Sequence, residues 1–125
     1  AAHGLNPALA LFGAEPLGAD DAARSLAQGE RVTTVVPDTV CDGLRALVGE
    51  RNLDALRLHR VELITVSDAE TIAAMQWLWT ELKQVVEVSS ATVLAAILKQ
   101  PQRFAGKRVG VVLTGGNVDL QALPW

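Results

Sequence analysis

The 125-residue chain carries 11 basic and 14 acidic residues, a formal net charge of −3, and half of its residues are apolar. That is the size of one domain or part of one, with apolar mass enough for a core, and a charge that gives no pull toward nucleic acid or an anionic membrane surface. The single cysteine, Cys41, excludes an intramolecular disulfide and suits a reducing compartment, and no apolar run is long enough to span a bilayer.

The first residues, Ala1-Ala2-His3-Gly4-Leu5, have neither a basic n-region nor a signal-peptide core. They read as the end of a helix, with more sequence expected upstream. Leu9 to Ala14 is a short apolar run closed by Glu15-Pro16, which predicts a buried strand. Ala19 to Gln28 is helical by composition, with Asp20 and Asp21 in its first turn and Gly29 as its stop. Val32 to Val36 is β-branched and predicts a short strand. A turn at Pro37-Asp38-Thr39 follows, and Gly43 argues against a clean helix from Val40 to Val48.

Arg51 to Arg60 reads as a charged, weakly amphipathic helix, and Val61 to Val66 alternates as a half-exposed strand does. Ser67-Asp68-Ala69-Glu70 is a capping box. The helix it opens is expected to run to Lys83 and to bury Ile72, Met75, Leu78, Trp79 and Leu82. Trp77 and Trp79 then face different sides. Val85 to Val88 is a short extended piece, Ser89 or Ser90 starts a helix through Leu98, and Pro101 ends it. Arg108 to Leu113 predicts a continuous apolar strand that runs directly into Thr114-Gly115-Gly116-Asn117. Strands alternating with helices imply an α/β fold with a mostly parallel sheet and flanking helices.

Four constellations carry chemistry. Thr114-Gly115-Gly116-Asn117 follows a strand, where α/β sheets hold ligands and where glycines admit a close backbone approach. The same residues also suit a plain tight turn with Asn117 capping a short helix. Glu15 to Asp21 places carboxylates around a bent loop, an oxygen-rich setting for a hard cation; the alternative is that Asp20 and Asp21 only decorate a helix start. Glu87 among valines is either partnered and functional or a solvated strand end. Cys41 reads better as a small buried residue than as a nucleophile, since neither His3 nor His59 is near it in sequence.

Taken in chain order, Phe12-Gly13-Ala14-Glu15-Pro16, Ala19-Asp20-Asp21-Ala22, Thr39-Val40-Cys41-Asp42-Gly43-Leu44, Val66-Ser67-Asp68-Ala69-Glu70-Thr71, Leu82-Lys83-Gln84-Val85-Val86-Glu87 and the stretch from Gly106 to Leu120 resemble the C-terminal part of the serine/threonine dehydratases and serine racemases. The resemblance covers nearly the whole chain. It implies the fold-type-II pyridoxal-phosphate architecture, tryptophan-synthase-beta-like. Residues 1–125 would be the C-terminal portion of its large cofactor-binding domain. It implies pyridoxal 5'-phosphate as cofactor, with Thr114 at the position that bonds the pyridine nitrogen and Gly115, Gly116 and Asn117 beside it. Gly43 would face the cofactor through its backbone, and Glu87 would stand near the ring.

Glu15, the Ala19 carbonyl and Asp21 match a divalent-cation site for Mg, Mn or Ca. The implied activity is a dehydratase (ammonia-lyase) acting on serine, threonine or a related β-hydroxy amino acid, or a racemase, in a cytoplasmic homodimer with a small-molecule amino-acid substrate. Two departures stand out. Glu87-Val88-Ser89-Ser90 replaces the family's Glu-Pro-Ser-Gly. The cofactor-bearing lysine and the tetraglycine phosphate loop of the family lie upstream, so no catalytic residue is expected in this chain. The readings from other classes are a non-catalytic binding or assembly module and a flavodoxin-like binding domain.

Overall fold

The computed structural model describes residues 1–125. The helices are α1 (Ala2–Leu5), α2 (Asp21–Gln28), α3 (Glu50–Leu58), α4 (Asp68–Thr80), α5 (Val88–Lys99) and α6 (Pro101–Phe104). The strands are β1 (Phe12–Pro16) and β2 (Glu62–Val66), paired in parallel from Phe12 opposite Glu62 to Pro16 opposite Val66. None of the helices is long and apolar enough to cross a membrane.

The core lies where α4 and α5 pack over this pair. Ile64 and Val66 of β2 meet Ala74, Met75 and Leu78 of α4 and Ala91, Ala95 and Ala96 of α5. Three alanines on one face of α5 let its axis come close, since interaxial distance follows the side chains at the contact. On α4 the buried positions are Thr71, Ala74, Met75 and Leu78, an i, i+3, i+4, i+7 stripe. Trp79 is half-buried and its indole N–H donates to the Val86 carbonyl at 2.9 Å, while Trp77 is exposed. The two tryptophans therefore do face different sides.

Several expected boundaries shift. β1 begins later than the apolar run suggests, and Glu15 and Pro16 are its last residues, not its stop. In a parallel ladder with one neighbour, a proline at the strand end leaves no required donor missing. α2 starts at Asp21, after a 3₁₀ turn over Leu17–Ala19. α5 begins at Val88, and Pro101, expected only to end that helix, also opens α6 at a position where a missing N–H costs nothing.

α4 ends at Thr80, so Leu82 is 50% exposed, and Ile72 is only half-buried. The reason is the turn that follows: Lys83 takes φ +56°, and the Gln84 N–H reaches back to the Leu78 carbonyl. α3 closes in the same way, with Arg60 at φ +50° and the Val61 N–H on the Leu56 carbonyl. Neither Val32–Val36 nor Arg108–Leu113 forms a strand. Both are apolar and β-branched, but a strand also needs a ladder partner, and the only ladder is β1–β2.

The start of the chain is tied to the start of β2. His3 Nε2 lies 2.8 Å from the Leu9 carbonyl, and His3 Nδ1 lies 3.2 Å from His59 Nδ1. A carbonyl only accepts, so His3 Nε2 is the donor and, in the neutral ring, His3 Nδ1 accepts from His59.

The capping box forms as the sequence implies. Ser67 Oγ accepts from the Glu70 N–H, and Glu70 Oε2 accepts from the Ser67 N–H at 2.7 Å. That amide bond, aided by Lys99, outweighs desolvation and holds the Glu70 carboxyl below its ordinary range. Because the folded value is depressed, this stability is present above the unfolded value and is lost as pH falls through the folded one. Urea titrations should therefore find Glu70→Gln less stable than wild type at pH 7, with the gap closing below about pH 4. A gap that persists in acid contradicts this. Ser67→Ala should cost about 1 kcal/mol in the same assay. Arg60→Gly should gain a few tenths to about 1 kcal/mol by removing left-handed strain at a solvated position.

Candidate cofactor site

The carboxyl ends of β1 and β2 point the same way, as parallel strands require. From there the chain sends out the 3₁₀ turn before α2 and, after β2, the first turn of α4. Asp68, the first residue of α4, holds the loop at Thr39. Its Oδ1 accepts from the Thr39 hydroxyl at 2.5 Å and its Oδ2 from the Val40 N–H at 2.9 Å. The Arg45 guanidinium donates to the Thr39 carbonyl at 2.6 Å. On the other side, Gly18 admits the loop. A Cβ there would sit 1.7 Å from the Asp38 carbonyl oxygen, and the Asp38 N–H bonds the Gly18 carbonyl at 2.9 Å.

Held at both points, this loop brings Gly43 to the N-terminal turn of α5. The Gly43 N–H donates to Ser89 Oγ at 3.0 Å. The 114–117 loop meets the same turn. The Thr114 N–H donates to Ser90 Oγ at 2.9 Å, the Glu87 N–H to the Gly115 carbonyl at 3.0 Å, and the Asn117 N–H to Glu87 Oε2 at 3.1 Å. All six residues singled out for a cofactor (Gly43, Glu87, Thr114, Gly115, Gly116 and Asn117) are thus gathered around one helix end.

The glycines have a reason that the sequence did not show. A Cβ on Gly115 would lie 2.6 Å from Glu87 Oε2, and one on Gly116 would lie 3.0 Å from the Val85 carbonyl oxygen. The glycines make room for the protein's own carboxylate and backbone. Thr114 is exposed, and its hydroxyl makes no bond within the chain, while its amide is fixed. A hydroxyl presented in this way, at the tip of a braced loop, fits the ring nitrogen of a planar heterocycle such as pyridoxal phosphate.

Ser89, Ser90 and Asp68 escaped the sequence reading as site residues. The signal was present, since adjacent serines opened a helix, but they read as a helix start only. Cys41 is fully buried. Burial pushes its thiol above the usual range, with Asp68 and Asp42 adding to this against the Thr39 hydroxyl and Arg45. That suits a small core residue and not a thiolate nucleophile.

The second predicted cluster sits beyond β1. Glu15 Oε1 and Oε2 accept from the Ala22 and Ala23 N–H groups at 3.2 and 2.8 Å. Asp21 is buried, and its Oδ2 accepts from the Val48 N–H at 2.7 Å. Asp20 pairs with Arg24 at 2.8 Å. Burial first, then the charges of Asp21 and Asp20, push Glu15 upward against its two amide bonds. No group of three or more His, Cys, Asp or Glu side chains converges on a metal-sized point. Ala19, whose carbonyl was expected to join this set, is buried at the end of the 3₁₀ turn.

Comparison with known proteins agrees with the first cluster. The family model described as pyridoxal-phosphate dependent enzyme matches residues 1–115. The chain is 48% identical over 121 residues to a β-hydroxyaspartate dehydratase of Paracoccus denitrificans, covering 97% of this chain and 38% of the relative. It is 43% identical over 126 residues to a serine racemase of Dictyostelium discoideum, covering 98% of this chain and 39% of the relative. Maize serine racemase superposes with a TM-score of 0.89 at 36% identity, covering 96% of this chain and 39% of that one. A bacterial-type threonine deaminase, that of T.th., superposes with a TM-score of 0.87 at 40% identity, covering 94% of this chain and 43% of that one. The chain therefore spans about two fifths of the length of the proteins it matches. With its parallel strands, flanking helices and this match over 1–115, the chain belongs to the pyridoxal-phosphate dependent enzyme family, in the fold-type-II form of the serine racemases and threonine deaminases.

Proposed function

We propose that the complete protein is a pyridoxal-phosphate-dependent ammonia-lyase (dehydratase) acting on a β-hydroxy amino acid, and that residues 1–125 form the C-terminal portion of its large cofactor-binding domain. The observation that carries this is the Thr114 hydroxyl, unpartnered on a loop whose backbone α5 holds in place. When bound, pyridoxal phosphate supplies the electron sink that acidifies the hydrogen on the amino acid's α-carbon. Thr114 would meet the pyridine nitrogen. A neutral hydroxyl there does not hold that nitrogen protonated as a carboxylate would, which favours loss of a β-hydroxyl over a long-lived carbanion. Gly115, Gly116, Asn117 and Gly43 would line the ring through backbone, and Glu87 would keep that backbone in register. The resemblance puts the proton-transferring lysine upstream.

The substrate class rests on the relatives, a β-hydroxyaspartate dehydratase and L-threo-3-hydroxyaspartate ammonia-lyases among them. Serine, threonine and hydroxyaspartate are the candidates. The serine racemases among the relatives support racemisation as the second reading. On either reading the enzyme is a cytoplasmic homodimer, as the sequence resemblance implies. Full-length protein should bind pyridoxal phosphate and release ammonia and a 2-oxo acid from at least one of these amino acids. Cofactor binding with conversion of L- to D-serine and no ammonia would favour the racemase. If neither product forms, the enzyme assignment is overturned. Thr114→Ala should lower turnover about tenfold or more with little change in urea midpoint, while Thr114→Ser keeps most activity. Equal turnover of the alanine variant would remove Thr114 from the chemistry.

The same reading includes a divalent cation, Mg, Mn or Ca, held by Glu15, the Ala19 carbonyl and Asp21. Its support is electrostatic. A half-buried carboxylate beside two more carboxylates is pushed upward, and a cation relieves that strain. Each carboxylate oxygen bonded to one amide keeps a lone pair. With the folded value raised, stability without the ion should increase as pH falls through it. Mg²⁺ should raise the melting temperature at pH 7 and flatten this pH dependence. Asp21→Asn keeps an acceptor for Val48 and should lose the Mg²⁺ response; identical responses in variant and wild type would argue against the site.

A further inference from the structure

We propose that Ser90 is a positioning residue for the cofactor's ring nitrogen: through its buried hydroxyl it fixes the backbone of Thr114, and so the place from which the Thr114 hydroxyl acts. This rests on the preceding reading of the 114–117 loop as facing the cofactor.

Ser90 is 2% exposed and sits in the first turn of α5, where its own N–H bonds the Glu87 carbonyl at 3.1 Å. The helix is anchored by Ala91, Ala95 and Ala96 in the core. An acceptor carried on such an element is more rigid than one on a loop. Its Oγ takes the Thr114 N–H at 2.9 Å. Ahead of Thr114, residues 108–113 make no ladder with either strand. Behind it, Glu87 holds Gly115 and Asn117. Thr114 itself is fixed by Ser90.

The two neighbouring serines divide the work, because Ser89 Oγ takes the Gly43 N–H at 3.0 Å and so holds the other loop. A hydrogen bond from the Thr114 hydroxyl weakens steeply with angle and distance. Releasing the amide changes where that hydroxyl stands without touching the side chain that makes the contact.

The test uses the full-length protein carrying this chain, in two arms. In the first, amide hydrogen exchange at Thr114 is followed without pyridoxal phosphate. Ser90→Ala should speed it about tenfold, Ser90→Thr should restore protection, and Ser89→Ala should leave Thr114 unchanged while exposing Gly43. In the second, absorbance and emission of bound pyridoxal phosphate are recorded against pH. Ser90→Ala should shift the spectrum and its pH profile, and Ser90→Thr should return both to wild type. If Ser90→Ala fails to fold, Ser90→Cys keeps the volume with a poor acceptor and replaces it in both arms.

Unchanged Thr114 exchange in the alanine or cysteine variant overturns the brace. Faster exchange with an unchanged spectrum and pH profile overturns its role toward the ring. If wild type binds no pyridoxal phosphate, the cofactor reading fails, along with the role toward the ring, whereas the exchange arm still judges the brace alone.

Discussion

The first turn of α5 organises the rest of the site. A helix N-terminus leaves several backbone donors without partners, and a side chain at the cap ordinarily accepts from one of them. Here Glu87 occupies the cap position and makes no such bond to its own helix. Its carboxylate turns outward to the Asn117 N–H, and two side chains of the first turn also accept from other segments: Ser89 from Gly43, Ser90 from Thr114. The helix forgoes a cap worth about 1 kcal/mol and joins two distant stretches of chain, at Gly43 and Thr114. The arrangement is stable because alanines further along α5 pack against α4 and β2, so the turn is fixed independently of the loops that reach it.

Carboxylates serve three physical ends in one small structure. Glu70 closes a local cap and is stabilised in its charged form. Glu15 performs the same kind of capping from a distance. Asp20, at the N-cap of α2, makes no side-chain cap bond, and the Ala22 and Ala23 amides are taken by Glu15 at the end of β1. That ties strand to helix, but burial and two neighbouring acids oppose the charge, so Glu15 is displaced upward where Glu70 is displaced downward. Glu87 directs its oxygens to loop backbone and fills the volume that a Gly115 side chain would need. The difference between Glu15 and Glu70 is environment alone, with burial and nearby charge setting the sign.

What was legible in the sequence was local. The Ser67–Glu70 box spans four residues and formed as written, and the α4 stripe appeared at helical spacing, although it ended earlier than the apolar pattern because Lys83 turns the chain. The resemblance located Thr114, Gly115, Gly116, Asn117, Gly43 and Glu87 as neighbours, and they are neighbours. What it did not contain was the reason for the neighbourhood. That Gly115 faces a carboxylate, that Gly18 faces the Asp38 carbonyl, and that Asp68 holds Thr39 from 29 positions away are contacts between segments. No window on the chain encodes them. The serines at 89 and 90 show the limit most clearly: read singly they start a helix, and only the folded chain shows that each hydroxyl is directed at a different loop.

The stretch from Arg108 to Leu113 makes the same distinction between composition and structure. Its valines satisfy every local criterion for a strand, yet Val112 is 73% exposed and none of these residues joins a ladder. Strand character is a relation between two segments, because the backbone donors and acceptors of one must be met by another. In open α/β sheets, the position of a residue at a strand's carboxyl end is ordinarily set by the strand itself. Here Thr114 follows a segment that sets nothing. Its amide is fixed by Ser90 and the residues after it by Glu87. The geometry of this loop is therefore a property of the helix it touches, and any change in the first turn of α5 is transmitted to Thr114 directly.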